Sequence, residues 1–261
     1  MIEITSADNP RYKQLLRLLQ SGRERRTSGL TLLDGVHLVQ AYGEHVGSPD
    51  ELIVSRSGAS RPEVQALLAA REGRALLLSD ALFRTLSTVD TPTGIMALVQ
   101  VPPLRVPNLD IRACVVLDGV QDPGNLGSIL RSAAASGVSD VLLAPGCAQA
   151  WSPRVLRAGM GAHFTLRLYE HCDIEAFIDG YSGRLLATVR DDAAPVFETD
   201  LRGDVALLFG SEGGGLSPSL VARAHARISI PMPGHAESLN VAAAAAVCLF
   251  ERVRQQRAST R

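Results

Sequence analysis

ISIPMPGHAESLNVAAAAAV, residues 228–247, is the stretch whose reading decides the rest of the chain. Ile228 and Ile230 are apolar at strand spacing, and Pro231, Pro233 and Gly234 then stop a sheet ladder and leave main-chain groups free to hold a ligand. Ser238 or Asn240 stands where the next helix begins, each a residue type that caps exposed amides at a helix start. The alanines after Val241 let that helix pack closely. A strand, a bent loop and a close-packed helix make an α/β junction. Such junctions occur throughout α/β proteins, so this stretch indicates architecture and leaves function to the rest of the sequence.

The residues before it belong to a domain of the same kind. ACVVLDGV, beginning at Ala113, is a continuous apolar run of the type buried on both faces of a parallel sheet. VLLAP, FTLRLY, LLATV, VALLFG and RISIPM follow as strands, separated by the helical segments SPRVLRAGM, DIEAFIDG and SPSLVARAH. This alternation predicts a doubly wound parallel sheet flanked by helices, whose ligands sit beyond the carboxyl ends of the strands. The loops of interest therefore follow Val120, Phe209 and Ile230.

Further upstream, LTLLDG, ELIV, ALLL and GIMALVQV alternate with helical VHLVQAY, PEVQALLAA and ALFRTL, which predicts a small α/β domain over residues 1–101. The proline-rich VPPLRVPNL lies in a stiff linker, 102–112, and the sheet domain occupies 113–261. Near the amino terminus, RYKQLLRLLQSGRERR places Leu15, Leu16, Leu18 and Leu19 at helical spacing with charges opposite. Arg11, Lys13, Arg17, Arg23, Arg25 and Arg26 face only Glu24, which makes this either a phosphate-contacting surface or a solvated helix face.

A chain of 261 residues with 46% hydrophobic content can bury a substantial core. A net charge of -1 argues against a bulk electrostatic nucleic-acid binder and leaves room for a local patch. Lys13 is the single lysine. The positive charge is thus nearly all arginine, which suits phosphate but equally reflects base composition in a gene. Cys114, Cys147, Cys172 and Cys248 are too scattered for a zinc site or a redox dithiol, so no metal is expected and they read as core thiols in a reducing compartment. MIEITSADNP has neither the basic start nor the apolar run of a signal peptide, and Val241 to Phe250 is too short to span a bilayer. A cytoplasmic protein without membrane contact is expected.

Three loops carry candidate chemistry. In QDPGNLGSILRSA, Asp122, Pro123 and Gly124 make a turn, Asn125 lies at the mouth of a helix starting by about Leu126, and Ser128 and Arg131 share a face. An arginine beside a glycine-bearing loop suits an anionic group, although a helix cap and a surface arginine would look the same. In FGSEGGGLS, Gly210, Gly213, Gly214 and Gly215 permit close backbone approach, and Glu212 is the only charge. It is neither a Walker loop nor a dinucleotide fingerprint, and Ser211 lacks the setting of a nucleophile elbow. The third loop is the opening stretch, with Ser238 and Asn240 as its polar contributors and His235 and Glu237 facing solvent.

In this order, LDGVQDPGNLGSILRSAAASGV, LLFGSEGGGLS and ISIPMPGHAESLNVAAAAAV resemble the three motifs of the SpoU/TrmH-type RNA ribose methyltransferases of the SPOUT superfamily. The resemblance is specific from Cys114 to about Arg254 and looser over the amino-terminal domain. It implies a SPOUT-type parallel sheet with a carboxyl-terminal trefoil knot, preceded by a small α/β domain of L30e-like type that binds substrate. It implies S-adenosylmethionine as cofactor, held by Gly210, Ile230 and Leu239 with Met232 and Thr188 nearby. It also implies a homodimer, and ribosomal or transfer RNA rather than DNA as substrate; Arg11, Lys13, Arg23, Arg25 and Arg26 of the basic segment are the candidate contacts to that RNA. The family's chemistry, methylation of a ribose 2′-hydroxyl, falls by position to Arg131, with Asn125, Glu212, Ser238 and Asn240 orienting the ribose and the loops. Whether Arg131 accepts the proton or positions charge stays open. Two departures, Ser211 where Asn or Ala is common and Asp34 where Glu is usual, bear on substrate choice more than on activity. The alternative is a catalytically inactive SPOUT-fold RNA-binding or ribosome-assembly protein. A doubly wound enzyme with a dinucleotide or phosphate ligand is disfavoured by the missing phosphate-loop signatures.

Overall fold

Apolar runs with no polar alternation have to be covered on both faces, and both sheets of this protein are. A computed structural model describes residues 1–70, 74–108 and 110–258. Leu109, the end of the proline-rich stretch, and the last three residues of the expected sheet domain lie outside them. The chain divides into two compact units, one made of Met1–Pro103 and Trp151–Phe164, the other of Leu104–Ala150 and Thr165–Arg261.

The first unit has five strands, β1 (Ile2–Ile4), β2 (Leu30–Asp34), β3 (Glu51–Ser55), β4 (Arg74–Leu78) and β5 (Ile95–Gln100). They lie in the order β1-β4-β3-β5-β2. β1, β4 and β3 are parallel, and β5 runs antiparallel to both of its neighbours. The helices are α1 (Pro10–Gln20), α2 (Gly22–Ser28), α3 (Val36–His45), α4 (Pro62–Ala69) and α5 (Asp80–Leu86). Tyr12, Leu15 and Leu18 of α1 cover one sheet face together with Phe83 and Leu86 of α5. Leu38, Val39 and Val64 of α3 and α4 cover the other, joined there by Trp151, Leu156 and Phe164 from the excursion Trp151–Phe164. Thr31 donates to the Trp151 carbonyl at 2.7 Å. The contiguous division drawn from the sequence does not anticipate this excursion, because nothing in SPRVLRAGM says which sheet its apolar face will meet.

The basic segment is two helices rather than one. Ser21 adopts an extended conformation (φ -113°, ψ 113°), ends α1 and caps α2 through its hydroxyl. Asn9 caps α1, accepting from Arg11 and Tyr12 amides at 2.8 and 3.4 Å.

The second unit contains β6 (Cys114–Asp118), α6 (Pro123–Ala135), β7 (Asp140–Leu143), then β8 (Arg167–Tyr169), α8 (Ile174–Gly180) and β9 (Arg184–Thr188). It continues with β10 (Ala194–Pro195), β11 (Val205–Gly210), α9 (Pro218–Arg223), β12 (Ala226–Ser229) and α10 (Val241–Ala258). The helix Pro153–Gly159, seventh in chain order (α7), sits in the excursion already described. The seven strands run β10-β12-β9-β11-β6-β7-β8 and every neighbouring pair is parallel. Phe177 and Ile178 of α8 and Leu220 of α9 belong to the core of one face. Elsewhere in the unit α10 packs against α6 and β11. Ala245, inside the alanine run, is fully buried. All four cysteines are free thiols. Burial pushes Cys172 up to about 11 and Cys248 up to about 12, so neither is a thiolate at neutral pH. No helix among the described residues is long and apolar enough to cross a membrane.

Candidate active site

Parallel strands deliver their carboxyl ends to one rim of the sheet, and the three loops leave from that rim: one after β6, one after β11, one after β12. The first opens on Asp122, whose carboxylate caps α6 by accepting the Asn125 amide at 2.7 Å, with Pro123 at the first helical position. Asn125 is therefore inside the first turn, relieved of capping. Its side chain is free for other work.

That side chain joins the loops. Asn125 Nδ2 donates to Glu212 Oε1 at 2.8 Å, and Asn125 Oδ1 accepts from Asn240 Nδ2 at 2.8 Å. Asn240 is the cap of α10, its Oδ1 accepting the amides of Ala242 at 2.9 Å and Ala243 at 3.3 Å. The directions follow from one another. Helix amides demand the oxygen of Asn240, which leaves its nitrogen for Asn125, and the carboxylate of Glu212 can only accept. Each amide nitrogen keeps a second hydrogen, so the chain presents two unused donors. Of the two cap candidates, Asn240 is the one that caps.

Glu212 also accepts, at longer range, from the amides of Gln121 and Asp122, at 3.5 and 3.4 Å. Burial works to raise its carboxyl, and hydrogen bonds from Asn125 and from nearby main-chain amides outweigh it, so the group sits below the ordinary glutamate range. It is ionised at neutral pH. Loop two is held shut by Ser211: its amide donates to the Gly215 carbonyl and accepts the return bond through its own carbonyl, both at 3.0 Å, while its hydroxyl accepts from Gly214 at 3.1 Å. The serine hydroxyl thus adds one bond to a closure made by main-chain groups. A Cβ on Gly210 would lie 1.9 Å from the Gly215 carbonyl carbon, so no other residue fits there with the loop closed. Asp118 accepts the Ser217 amide at 2.7 Å and fixes the far end of the same loop. Sequence reasoning missed Asp118, Asp122 and the role of Ser211. Only Asp122 carried a signal, an acidic residue before proline at a helix start.

Gly210 ends β11 and Thr188 ends β9, where its hydroxyl donates to the Leu208 carbonyl at 2.7 Å. Ile230 follows β12, whose Ile228 pairs with Thr188. Gly210, Thr188 and Ile230 therefore stand on three adjacent strand ends. Met232 is half-buried and Leu239 exposed. The main-chain groups of Ile230, Met232 and Leu239 make no hydrogen bond among the described residues. The side chains of Arg131 and Ser238 are exposed and have no hydrogen-bond or ion-pair partner among the described residues, so no such bond ties them to the chain of amides.

The basic segment departs from expectation. Arg25 is buried and its guanidinium donates to the carbonyls of Leu18 and Leu19 at 2.6 and 3.2 Å, closing the end of α1, which removes it from the phosphate-contacting surface. Arg11 pairs with the buried Glu51 at 2.6 Å, Lys13 with Asp8 at 2.7 Å, and Arg17 lies 3.8 Å from Glu24. Arg23 and Arg26 are exposed without a partner among the described residues.

The residues 112–250 match the model of the SpoU rRNA methylase family, and 9–97 match a model described as an MRM3-like substrate binding domain. An uncharacterized tRNA/rRNA methyltransferase of Synechocystis sp. is 33% identical, over 98% of this chain and 95% of its own. The Bacillus subtilis 23S rRNA guanosine 2'-O-methyltransferase RlmP is 29% identical, over 96% of this chain and 98% of its own. Among solved structures, the SpoU methyltransferase AviRb from Streptomyces viridochromogenes, in complex with the cofactor AdoMet, superimposes with a TM-score of 0.87 at 28% identity, covering 95% of this chain and 98% of that one. Each of these relatives is named as a methyltransferase. The chain belongs to the SpoU methylase family of the SPOUT superfamily.

Proposed function

We propose that this protein is an S-adenosylmethionine-dependent RNA 2′-O-methyltransferase acting on ribosomal or transfer RNA in the cytoplasm. The observation that carries the reading is the bonded chain Asn240–Asn125–Glu212, which joins all three loops at one rim of the sheet. The cofactor fits what the rim offers. An adenine edge presents acceptors and an amino donor, and the unpaired main-chain groups of Ile230, Met232 and Leu239 are complementary to both. Gly210 and Thr188 bound the same strand ends.

S-adenosylmethionine, when bound, supplies a methyl carbon made electrophilic by its sulfonium sulfur. The rest falls to side chains. The ribose hydroxyl must pass its proton to water or a neighbouring RNA phosphate as its oxygen bonds the methyl carbon and the carbon–sulfur bond breaks, with oxygen, carbon and sulfur aligned. The unused hydrogens of Asn125 and Asn240 are donors suited to ribose or phosphate oxygens. The Arg131 guanidinium offers five donors and no acceptor, so its fitting role is to hold a phosphate and stabilise the developing alkoxide. Ionised Glu212 keeps Asn125 turned the right way, and Ser238 supplies a hydroxyl on loop three.

Three finer features belong to the same reading. The first unit binds the RNA, supported by its match to a substrate-binding family model. The carboxyl-terminal segment is taken to be knotted, as the family resemblance implies; supporting this, the connection from β9 to β11 detours through β10, which pairs outside β12, and α10 packs on α6. The protein is a homodimer, for which the partly exposed apolar stripe Ala243, Ala246, Val247 and Phe250 on α10 offers a face. The direct test is methyl transfer to 23S rRNA, the substrate in the name of the Bacillus relative, by wild type and Arg131→Ala. Arg131→Ala should lose about 10²-fold or more in kcat/KM, the scale for removing one transition-state charge donor, while still binding S-adenosylmethionine. Near wild-type transfer by that variant would sink the assignment.

A further inference from the structure

From the last turns of α10 we infer that Gln255 is a positioning residue for the cofactor loop, acting through the connection that carries β10; this rests on the function proposed above. The Gln255 carboxamide is bonded on both sides. Its Oε1 accepts the amide of Leu201 at 2.8 Å, and its Nε2 donates to the Thr199 carbonyl and to Glu251 Oε1, each at 2.8 Å. Glu251 is buried and itself held by Arg254 through two bonds of 2.8 Å, so the carboxamide cannot turn over without breaking both sets.

Residues 199–201 follow directly on a short turn, Val196–Glu198, whose Val196 is fully buried, and that turn follows β10. Ala194 and Pro195 of β10 pair with Ile228 and Ser229 of β12. On its other side Ile228 pairs with Thr188, and its carbonyl accepts the Val189 amide at 2.9 Å. Ile230 is the first residue after β12, where the ladder stops and the loop of Met232 begins. A two-residue edge strand has little hold of its own. Gln255 supplies the anchor that keeps β10 on β12, and β12 sets where Ile230 and Met232 stand. A side chain at the far end of the terminal helix thereby tunes a site formed at the helix start.

Gln255→Met keeps the volume and removes the hydrogen bonds. With the full chain, it should raise the Kd and KM for S-adenosylmethionine by about tenfold, the scale of one or two lost hydrogen bonds, with kcat within about twofold of wild type. Hydrogen exchange should quicken at residues 228–232 as well as at 199–201. Gln255→Ala should repeat the split, which keeps the test open if one variant folds poorly. A wild type that binds S-adenosylmethionine alongside variants that bind it equally well, or whose kcat falls with KM unchanged, overturns the role of Gln255 alone. A wild type that takes up no S-adenosylmethionine overturns the underlying function and this role with it.

Discussion

Asn125 makes two side-chain hydrogen bonds to two different loops, one of them to a carboxylate. Asn125→Ala should cost about 1–3 kcal/mol of site organisation, roughly ten- to hundredfold in kcat/KM, because it removes the side-chain bonds that tie Glu212 and Asn240 to the first loop. Combining it with Glu212→Gln should add little further loss, since the two act as one unit; full additivity in a double-mutant cycle would contradict the chain. Glu212 also gives an acid signature. Its carboxyl is depressed in the folded state, so its contribution to stability is fully present above the unfolded glutamate pKa and is lost as pH falls through the lower folded value. The gap in thermal stability between wild type and Glu212→Gln should stay level down to about pH 4.5 and close below it. Gly210 and Gly213 make a paired test. Gly210→Ala drives a methyl into the Gly215 backbone and should cost about 1–3 kcal/mol and cofactor binding, whereas Gly213→Ala meets nothing within 4 Å and should do neither, as melting and calorimetry would report.

Among elements, the amino-terminal helices show where sequence reading stops. The apolar spacing of Leu15 and Leu18 was legible, and so was the charge on the opposite side. That Arg25 turns inward was not, because helical periodicity through Ser21 places it with its neighbours, and only the break at Ser21 sends it under the end of α1. Arg25→Ala should therefore lower stability by about 1–3 kcal/mol through the unpaired Leu18 carbonyl, and leave the salt dependence of RNA binding alone. Neutralising Arg23 and Arg26 together should do the reverse, flattening the salt slope by roughly two without a change in melting. Salt titrations of RNA binding distinguish the two outcomes. Strands such as LTLLDG and VALLFG were readable because they are buried along nearly their whole length and so carry unbroken apolar runs. β10 was not, being two residues long with one of them proline.

For the molecule as a whole, three motifs far apart in sequence were enough to name the family, because each is a loop whose glycines, prolines and capping residues have local physical reasons. What they touch was beyond reach. The Asp118 bond to Ser217 and the Gln255 bonds to Thr199 and Leu201 join residues with no shared periodicity, and no pattern of residue types announces them. The placement of Trp151–Phe164 is of this kind and has a practical expectation. A fragment of residues 1–103 made alone bares the sheet face that Trp151, Leu156 and Phe164 cover, and should be less soluble and less stable than the same residues in the full chain.

The same excursion imposes a timetable during translation. Residues up to Pro103 emerge from the ribosome long before Trp151–Phe164, so part of one side of the amino-terminal sheet, beyond what α3 and α4 cover, waits bare while the start of the second sheet is being synthesised. The nascent chain spends that interval as a client for holdase chaperones, and ribosome profiling of chaperone engagement should find it bound until the segment through Phe164 has cleared the exit tunnel.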